Sequence, residues 1–408
     1  MHSRSFPALG LCLACCAFPA TAQTGGDTAA SRAAASFNPR ISLILQGTYA
    51  DFSSDAEPEM PGVVLGRETE LRPAGFSLAE TELVMEANVD DQYRGWATIA
   101  LENEDGETVV AVEEAYVNTL ALPAGLALKM GRFFSDIGYQ NRIHSHAWEF
   151  VDLPLVYRAL VAKQLKDDGV QLRWVAPTDL FVELGVEALR GAGFPAGGEQ
   201  RDGVNSWTGF VHFGGDVGAG GAWRLGLSHL RADADGRATG EEDSPETFTF
   251  SGDSALSIVD LVYKWAPDGN PALRNFVFNA EYFHRDEDGT VDFDDGANPT
   301  VSSDYDGTQQ GFYLQGVYQF MQRWRIGARY DRLKGDNMLG NNPGGEFDTL
   351  ADAAPAKRVG AMLDYSNSEF SRVRLQYNRD ESRPGGETDD QFLVQYVMSI
   401  GSHAAHQF

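Results

Sequence analysis

A chain of 408 residues carries 32 lysines and arginines against 59 aspartates and glutamates, a net charge of −27. So acidic a polypeptide is excluded as a nucleic-acid binder and suits cations or a solvated acidic surface. Its 3 cysteines, Cys12, Cys15 and Cys16, all lie near the N-terminus, so the remainder has no thiol for a disulfide, a thiolate metal site or a cysteine nucleophile.

The first 22 residues read as a secretory signal: Arg4, an apolar run from Leu9 to Phe18, then the small-x-small sequence Ala20-Thr21-Ala22, with the mature chain starting at Gln23. A lipoprotein anchored at Cys15 is disfavoured, because Cys12 stands three residues earlier where leucine is usual. No later stretch of eighteen apolar residues exists, so no transmembrane helix follows. Residues 23–36 are small and polar and read as a flexible linker.

From Phe37 to Phe408 one pattern repeats: about ten residues of alternating apolar and polar character, a break, then ten more. The predicted strands are 38–52, 76–89, 91–102, 109–121, 125–134, 168–175, 179–190, 206–214, 221–231, 255–266, 274–286, 309–320, 324–334, 357–367, 371–381 and 391–401. Connections such as 53–75, 135–167, 232–254, 287–308 and 335–356 are mostly long and rich in Asp, Glu, Gly and Asn, whereas 122–124, 176–178, 321–323 and 368–370 are mostly tight turns. A barrel whose chain starts on the periplasmic side predicts that asymmetry; a soluble sandwich does not. The fold class is therefore all-β, a transmembrane antiparallel β-barrel of about sixteen strands with no plug domain, in the outer membrane of a Gram-negative bacterium.

Periodicity assigns the faces. Phe392, Val394, Tyr396, Met398 and Ile400 share one side of the last strand; Trp324, Ile326, Ala328 and Tyr330 oppose Arg325 and Arg329; Val373, Leu375 and Tyr377 oppose Arg372, Arg374, Gln376 and Asn378. The polar faces are too charged to pack together, so they line water and the apolar faces touch lipid. Trp207, Trp223, Tyr263, Trp265, Phe320, Trp324 and Tyr396 near strand ends fit aromatic girdles.

The connection 135–167 is too apolar for solvent, with Trp148, Phe150, Val151, Leu153, Leu155, Val156 and Tyr157. It is expected to fold into the lumen as a constriction loop bearing Asp136, His144, His146, Trp148, Glu149 and Asp152. Two imidazoles one residue apart can reach one metal ion, with a carboxylate and water completing a zinc shell. The competing reading has both histidines bonded to the wall. Glu80, Glu82, Glu86, Glu183 and Glu187 form an acidic lumen stripe rather than a general acid–base pair, which needs an enclosed pocket. Arg325, Arg329, Arg372 and Arg374 form a basic stripe. Either the two stripes set a field across the lumen, or the arginines pair with Asp331, Asp364 or Asp380 on neighbouring strands. The acidic clusters at 241–243, 286–288, 292–295 and 389–390 lack the spacing of a calcium hand. No hydrolase, zincin, phosphate-loop or dinucleotide motif stands in a supporting context, so catalysis is not expected.

The stretch Lys129–Asn141 resembles outer-membrane porins of the phosphate-selective type. More closely, Ile41–Gly47, His144–Asp152 and Asp167–Gln171 resemble a proteobacterial group often labelled zinc-regulated TonB-dependent outer-membrane receptor. That resemblance implies an outer-membrane barrel and a zinc connection. True TonB-dependent receptors have about twenty-two strands and a plug, for which this chain leaves no room, and the acidic composition departs from the basic interior of phosphate-selective channels. The sequence thus reads as a porin-like, cation-biased channel for passive diffusion of small hydrophilic solutes, embedded in outer-membrane lipid and compatible with a homotrimer. The alternatives are a zinc-linked uptake barrel, with zinc at His144 and His146, and a surface adhesion or structural barrel.

Overall fold

The computed structural model describes residues 39–54, 60, 62–63, 72–104, 107–197, 202–238, 247–351 and 354–401. The predicted signal peptide, the linker and the acidic cluster at 241–243 lie outside these residues. Alternation sorts the chain into strands β1 (Arg40–Phe52), β2 (Gly75–Leu78), β3 (Thr81–Asn88), β4 (Tyr93–Glu104), β5 (Glu107–Thr119), β6 (Leu126–Phe134), β7 (Lys166–Val175), β8 (Phe181–Leu189) and β9 (Ser206–Val217). They continue as β10 (Gly221–Ala238), β11 (Thr247–Trp265), β12 (Asn275–Asp294), β13 (Val301–Met321), β14 (Trp324–Leu339), β15 (Ala356–Ser368), β16 (Ser371–Glu381) and β17 (Asp389–Gly401). Apart from β2 and β3, each pairs antiparallel with its chain neighbours, and β1 pairs with β17 from Ser42 opposite Gly401 to Phe52 opposite Gln391, which closes the sheet. β2 and β3 both pair with β1 and form one stave broken at Ala79 and Glu80, so the barrel has sixteen staves, in the order the alternation predicts.

Facing follows the periodicity. On β17, Asp389, Gln391, Leu393, Gln395 and Val397 are buried inward, while Phe392, Tyr396 and Ile400 are exposed outward. Ile326 on β14 and Val373, Leu375 and Tyr377 on β16 are likewise exposed, opposite buried Arg329, Arg374, Gln376 and Asn378. Trp223 opposite Tyr263, Trp265 opposite Phe276, and Trp324 packed 4.8 Å from Tyr365 form an aromatic ring at the end of the tight turns. A closed cylinder that is apolar outside and charged inside satisfies every backbone group without water, and it spans the outer membrane of a Gram-negative cell.

The strands differ from prediction in length. β10 to β13 run to 18, 19, 20 and 21 residues, where about ten suffice to cross a bilayer. Much of the predicted loops 232–254 and 287–308, and the start of 335–356, is therefore strand. The alternation continues there with its sense reversed. Low on β10 the outward residues are Leu225 and Leu227; higher they are Arg231, Asp233 and Asp235, while Ala232 and Ala234 turn inward. Phe250, Val291 and Tyr305 likewise turn inward and pack with Phe347 and Leu350. Acidic residues read as loop are the solvated outer face of a wall that has left the membrane.

A charge placed on the lipid face tests the facing. Leu375→Arg should cost about 2–4 kcal/mol of folding stability if it lies near the bilayer midplane, read by urea titration of folding into lipid vesicles. Wild-type stability would show that this face does not meet hydrocarbon.

Candidate functional site

The connection between β6 and β7 turns into the barrel, and its apolar side chains dictate the path. Ile137, Trp148, Leu153, Leu155, Val156, Tyr157 and Leu160 are buried against inward residues of the wall, among them Leu189, Leu230, Ile258, Phe283, Tyr313 and Leu333. Burying each large apolar side chain is worth about 1.5–3 kcal/mol, which draws the loop inward rather than out into solvent. A helix, α1 (Leu155–Val161), is wholly buried within it.

Polar contacts fix the loop at both ends. At the neck, Asn141 Nδ2 donates to the carbonyls of Ser135 and Leu165 (2.8 and 3.0 Å), and its Oδ1 accepts from the Leu165 amide at 2.7 Å. Ser135 Oγ donates to Glu187, which also accepts from the Asp136 amide at 3.1 Å, while Asp136 itself accepts from Gln171 at 3.1 Å. Glu281 on β12 gathers the Tyr139 and Gln140 amides (both 3.0 Å) and the hydroxyls of Tyr157 (2.9 Å) and Tyr313 (2.6 Å). Gly138 has a φ of +64°, and a Cβ there would collide with the Glu281 carboxylate, so this approach requires glycine.

Further along, Trp148 Nε1 donates to the Ile143 carbonyl at 2.6 Å, and Glu149 pairs with Arg325 at 2.7 Å. Asp152 accepts from Arg329 (2.7 Å), Gln376 (2.5 Å) and Asn378 (3.0 Å) and pairs with Arg358 at 2.8 Å. Burial alone would raise the Asp152 carboxyl, but Arg329 and Arg358 outweigh it and hold it well below the usual carboxylate range. A depressed carboxylate contributes its stability above its unfolded value, about pH 4, and loses it only as pH falls through the depressed one. The loop anchor therefore persists through mild acid.

The predicted acidic residues fall in two places on the wall, Glu80, Glu82 and Glu86 at and just before β3 and Glu183 and Glu187 on β8, five staves away, whereas the basic ones lie on β14 and β16, and both sets are paired. Glu80 meets Lys163 (2.9 Å), Glu86 meets Arg40 (2.6 Å) and Arg94, and Glu183 meets His212 (3.0 Å) and Arg173 (3.2 Å). Arg325 and Arg374 share Asp364 (2.6 and 3.2 Å), Arg329 pairs with Asp331 at 3.0 Å, and Arg372 donates to the His146 carbonyl at 2.5 Å. The loop reaches both sets, with histidines set against carboxylates and carboxylates against guanidinium groups.

The histidines meet Glu82 and a pair the sequence reading passed over, Glu113 and Glu114. The β4–β5 register shifts between Thr98 and Ile99, leaving Glu113 as the extra residue of a bulge that turns both carboxylates inward. Two adjacent acids in Val112-Glu113-Glu114-Ala115 break the alternation, a signal legible beforehand. His144 Nε2 lies 2.9 Å from Glu114, its Nδ1 lies 3.2 Å from Glu82 Oε2 and 3.4 Å from Glu113 Oε2, and His146 Nδ1 lies 2.7 Å from Glu82 Oε1. The imidazole rings stack at 5.8 Å. Burial works against charge on His144, but Glu82, Glu113 and Glu114 outweigh it and hold its proton well above the ordinary histidine range. The donor atoms that converge are those of Glu82, Glu113 and His144, all within 4.8 Å of one another, whereas His146 engages the other oxygen of Glu82.

The chain is 32% identical over 404 residues to a protein of Aquifex aeolicus that carries the description "Uncharacterized protein", covering 91% of this chain and 80% of that one. No family model matches. Among solved structures it is similar to OprB of Pseudomonas putida (12% identity, 91% of this chain and 96% of that one, TM-score 0.55). It is also similar to an anion-selective porin from Comamonas acidovorans (10% identity, 89% and 99%, TM-score 0.54). At such identities the likeness establishes the fold, that of outer-membrane porins. The label zinc-regulated TonB-dependent receptor finds no support among these neighbours, which share with this chain the porin barrel fold.

Asp152→Ala removes the loop carboxylate from Arg329 and Arg358, which keep Asp331, so the loss is smaller than the roughly 3–5 kcal/mol of an unpaired buried charge. The folded, detergent-solubilised variant should be cut by protease within 135–167 much faster than wild type; equal cutting rates would show that Asp152 does not hold the loop.

Proposed function

We propose that this chain, which belongs to the family represented by the Aquifex aeolicus protein, is an outer-membrane channel of porin type. Small hydrophilic solutes diffuse through it passively, cations in preference to anions, and the loop 135–167 sets the passage. The observation that carries this reading is a loop laid across the lumen and fastened to both charged sets, by His146 to Glu82 at 2.7 Å and by Asp152 to Arg329 at 2.7 Å. A constriction lined by fixed charges on a rigid frame selects by size and sign. The preference for cations is supported by the inner wall, where buried carboxylates outnumber buried guanidinium groups among the described residues. The net charge of −27 acts in the same direction at the rim.

Reconstituted in a planar bilayer, the mature protein should open stable conductance steps, grouped in threes if three barrels associate. In asymmetric potassium chloride its reversal potential should take the sign of cation preference, and Glu149→Gln should alter that potential without abolishing the steps. A barrel that folds but never conducts would sink the channel reading and leave the surface-adhesion or structural reading; an anion-directed potential would overturn the selectivity.

A further inference from the structure

We infer that Glu82, Glu113 and His144 bind one divalent first-row transition-metal ion, of the zinc class, on the inner wall of the barrel. A carboxylate can only accept a hydrogen bond, so the 2.9 Å contact to Glu114 requires the proton of His144 to sit on Nε2. In the neutral ring the Nδ1 lone pair then faces Glu82 Oε2 and Glu113 Oε2, three acceptors turned toward one another. None of these three atoms makes a hydrogen bond, and the two glutamates are 0% and 1% exposed. Unpaired acceptors in so dry a place are costly, and a cation among them removes the conflict. A second proton on Nδ1 pairs with Glu82 and Glu113 at 3.2 and 3.4 Å but in hydrogen-bond geometry with neither, so it relieves the conflict only in part.

The surroundings are those of a supported ligand set. Glu114 orients the imidazole from behind, as carboxylates do for metal-bound histidines, and His146 clamps the far oxygen of Glu82. One nitrogen and two carboxylate oxygens suit zinc and its neighbours, whereas calcium and magnesium favour oxygen alone. His144 is the most open of the three ligands, its side chain 16% exposed, and is the side from which an ion would arrive. Because Glu82 and Glu113 belong to β3 and β5 and His144 to the loop, an ion there staples the loop to the wall. The site stands on wall geometry and not on the channel reading, so it can fail while conductance persists.

The test uses the folded mature barrel in detergent, stripped with chelator and titrated calorimetrically with zinc chloride, and with cobalt chloride followed by visible absorption. Wild type should bind one ion per barrel with release of a proton. Glu113→Gln and His144→Ala should each weaken binding at least ~100-fold, and Glu114→Gln, which loses only the orienting bond, by about 10–100-fold. The control His403→Ala/His406→Ala should bind as wild type does, and heat-modifiable migration verifies that each variant is folded. Should His144→Ala not fold, the nearly isosteric Glu113→Gln reads the same site. The inference is overturned if wild type binds no stoichiometric ion, so that a proton alone fills the gap. It is equally overturned if Glu113→Gln keeps wild-type affinity, or if binding is lost only in the control.

Discussion

Every feature of this molecule descends from one constraint: in hydrocarbon no peptide group can be left without a partner. A meander of strands meets it only by returning to its start, and the pairing of β1 with β17 over Ser42 to Phe52 performs that closure. Closure forces each strand to present one face to lipid and one to the interior. The interior must then be made compatible with whatever fills it. Here much of the filling is the chain itself, a loop whose apolar residues found no other place to go and whose charged residues meet opposite charges on the wall.

That constraint also explains why the strands β10 to β13 change character along their length. Pairing remains favourable above the bilayer, but the solvents exchange: water lies outside and a packed apolar cluster around Phe250, Val291, Tyr305, Phe347 and Leu350 lies within. The alternation keeps its period and inverts its sense. Hydropathy patterning thus records the height of the membrane boundary as well as the existence of strands.

The stave count, the order of staves, the facing of side chains and the inward path of 135–167 were legible because a period of two and an apolar segment with no solvent-tolerant face leave few alternatives. What was not legible has equally physical causes. Asp288, Asp304 and Asp306 read as loop because isolated acids look alike on an exposed strand and in a turn, yet all three lie on β12 and β13 with their partners in register. The pairing of Arg325 and Arg374 through Asp364 depends on which strands are adjacent, a long-range fact that spacing along one strand hints at only by assuming a simple meander. Glu113 and Glu114 were overlooked because attention to regular alternation discards the place where it fails.

That lapse in regularity has a lasting consequence for β5. Strip out either glutamate and the β4–β5 ladder becomes regular, with Val112 still outward opposite Ile99 and Tyr116 and Asn118 still turned to the centre. The extra residue is what lets two carboxylates stand side by side on one face, where strict alternation admits one. A lineage can therefore shed one of the two acids without disturbing the stave, but it cannot keep both turned inward on an unbroken ladder.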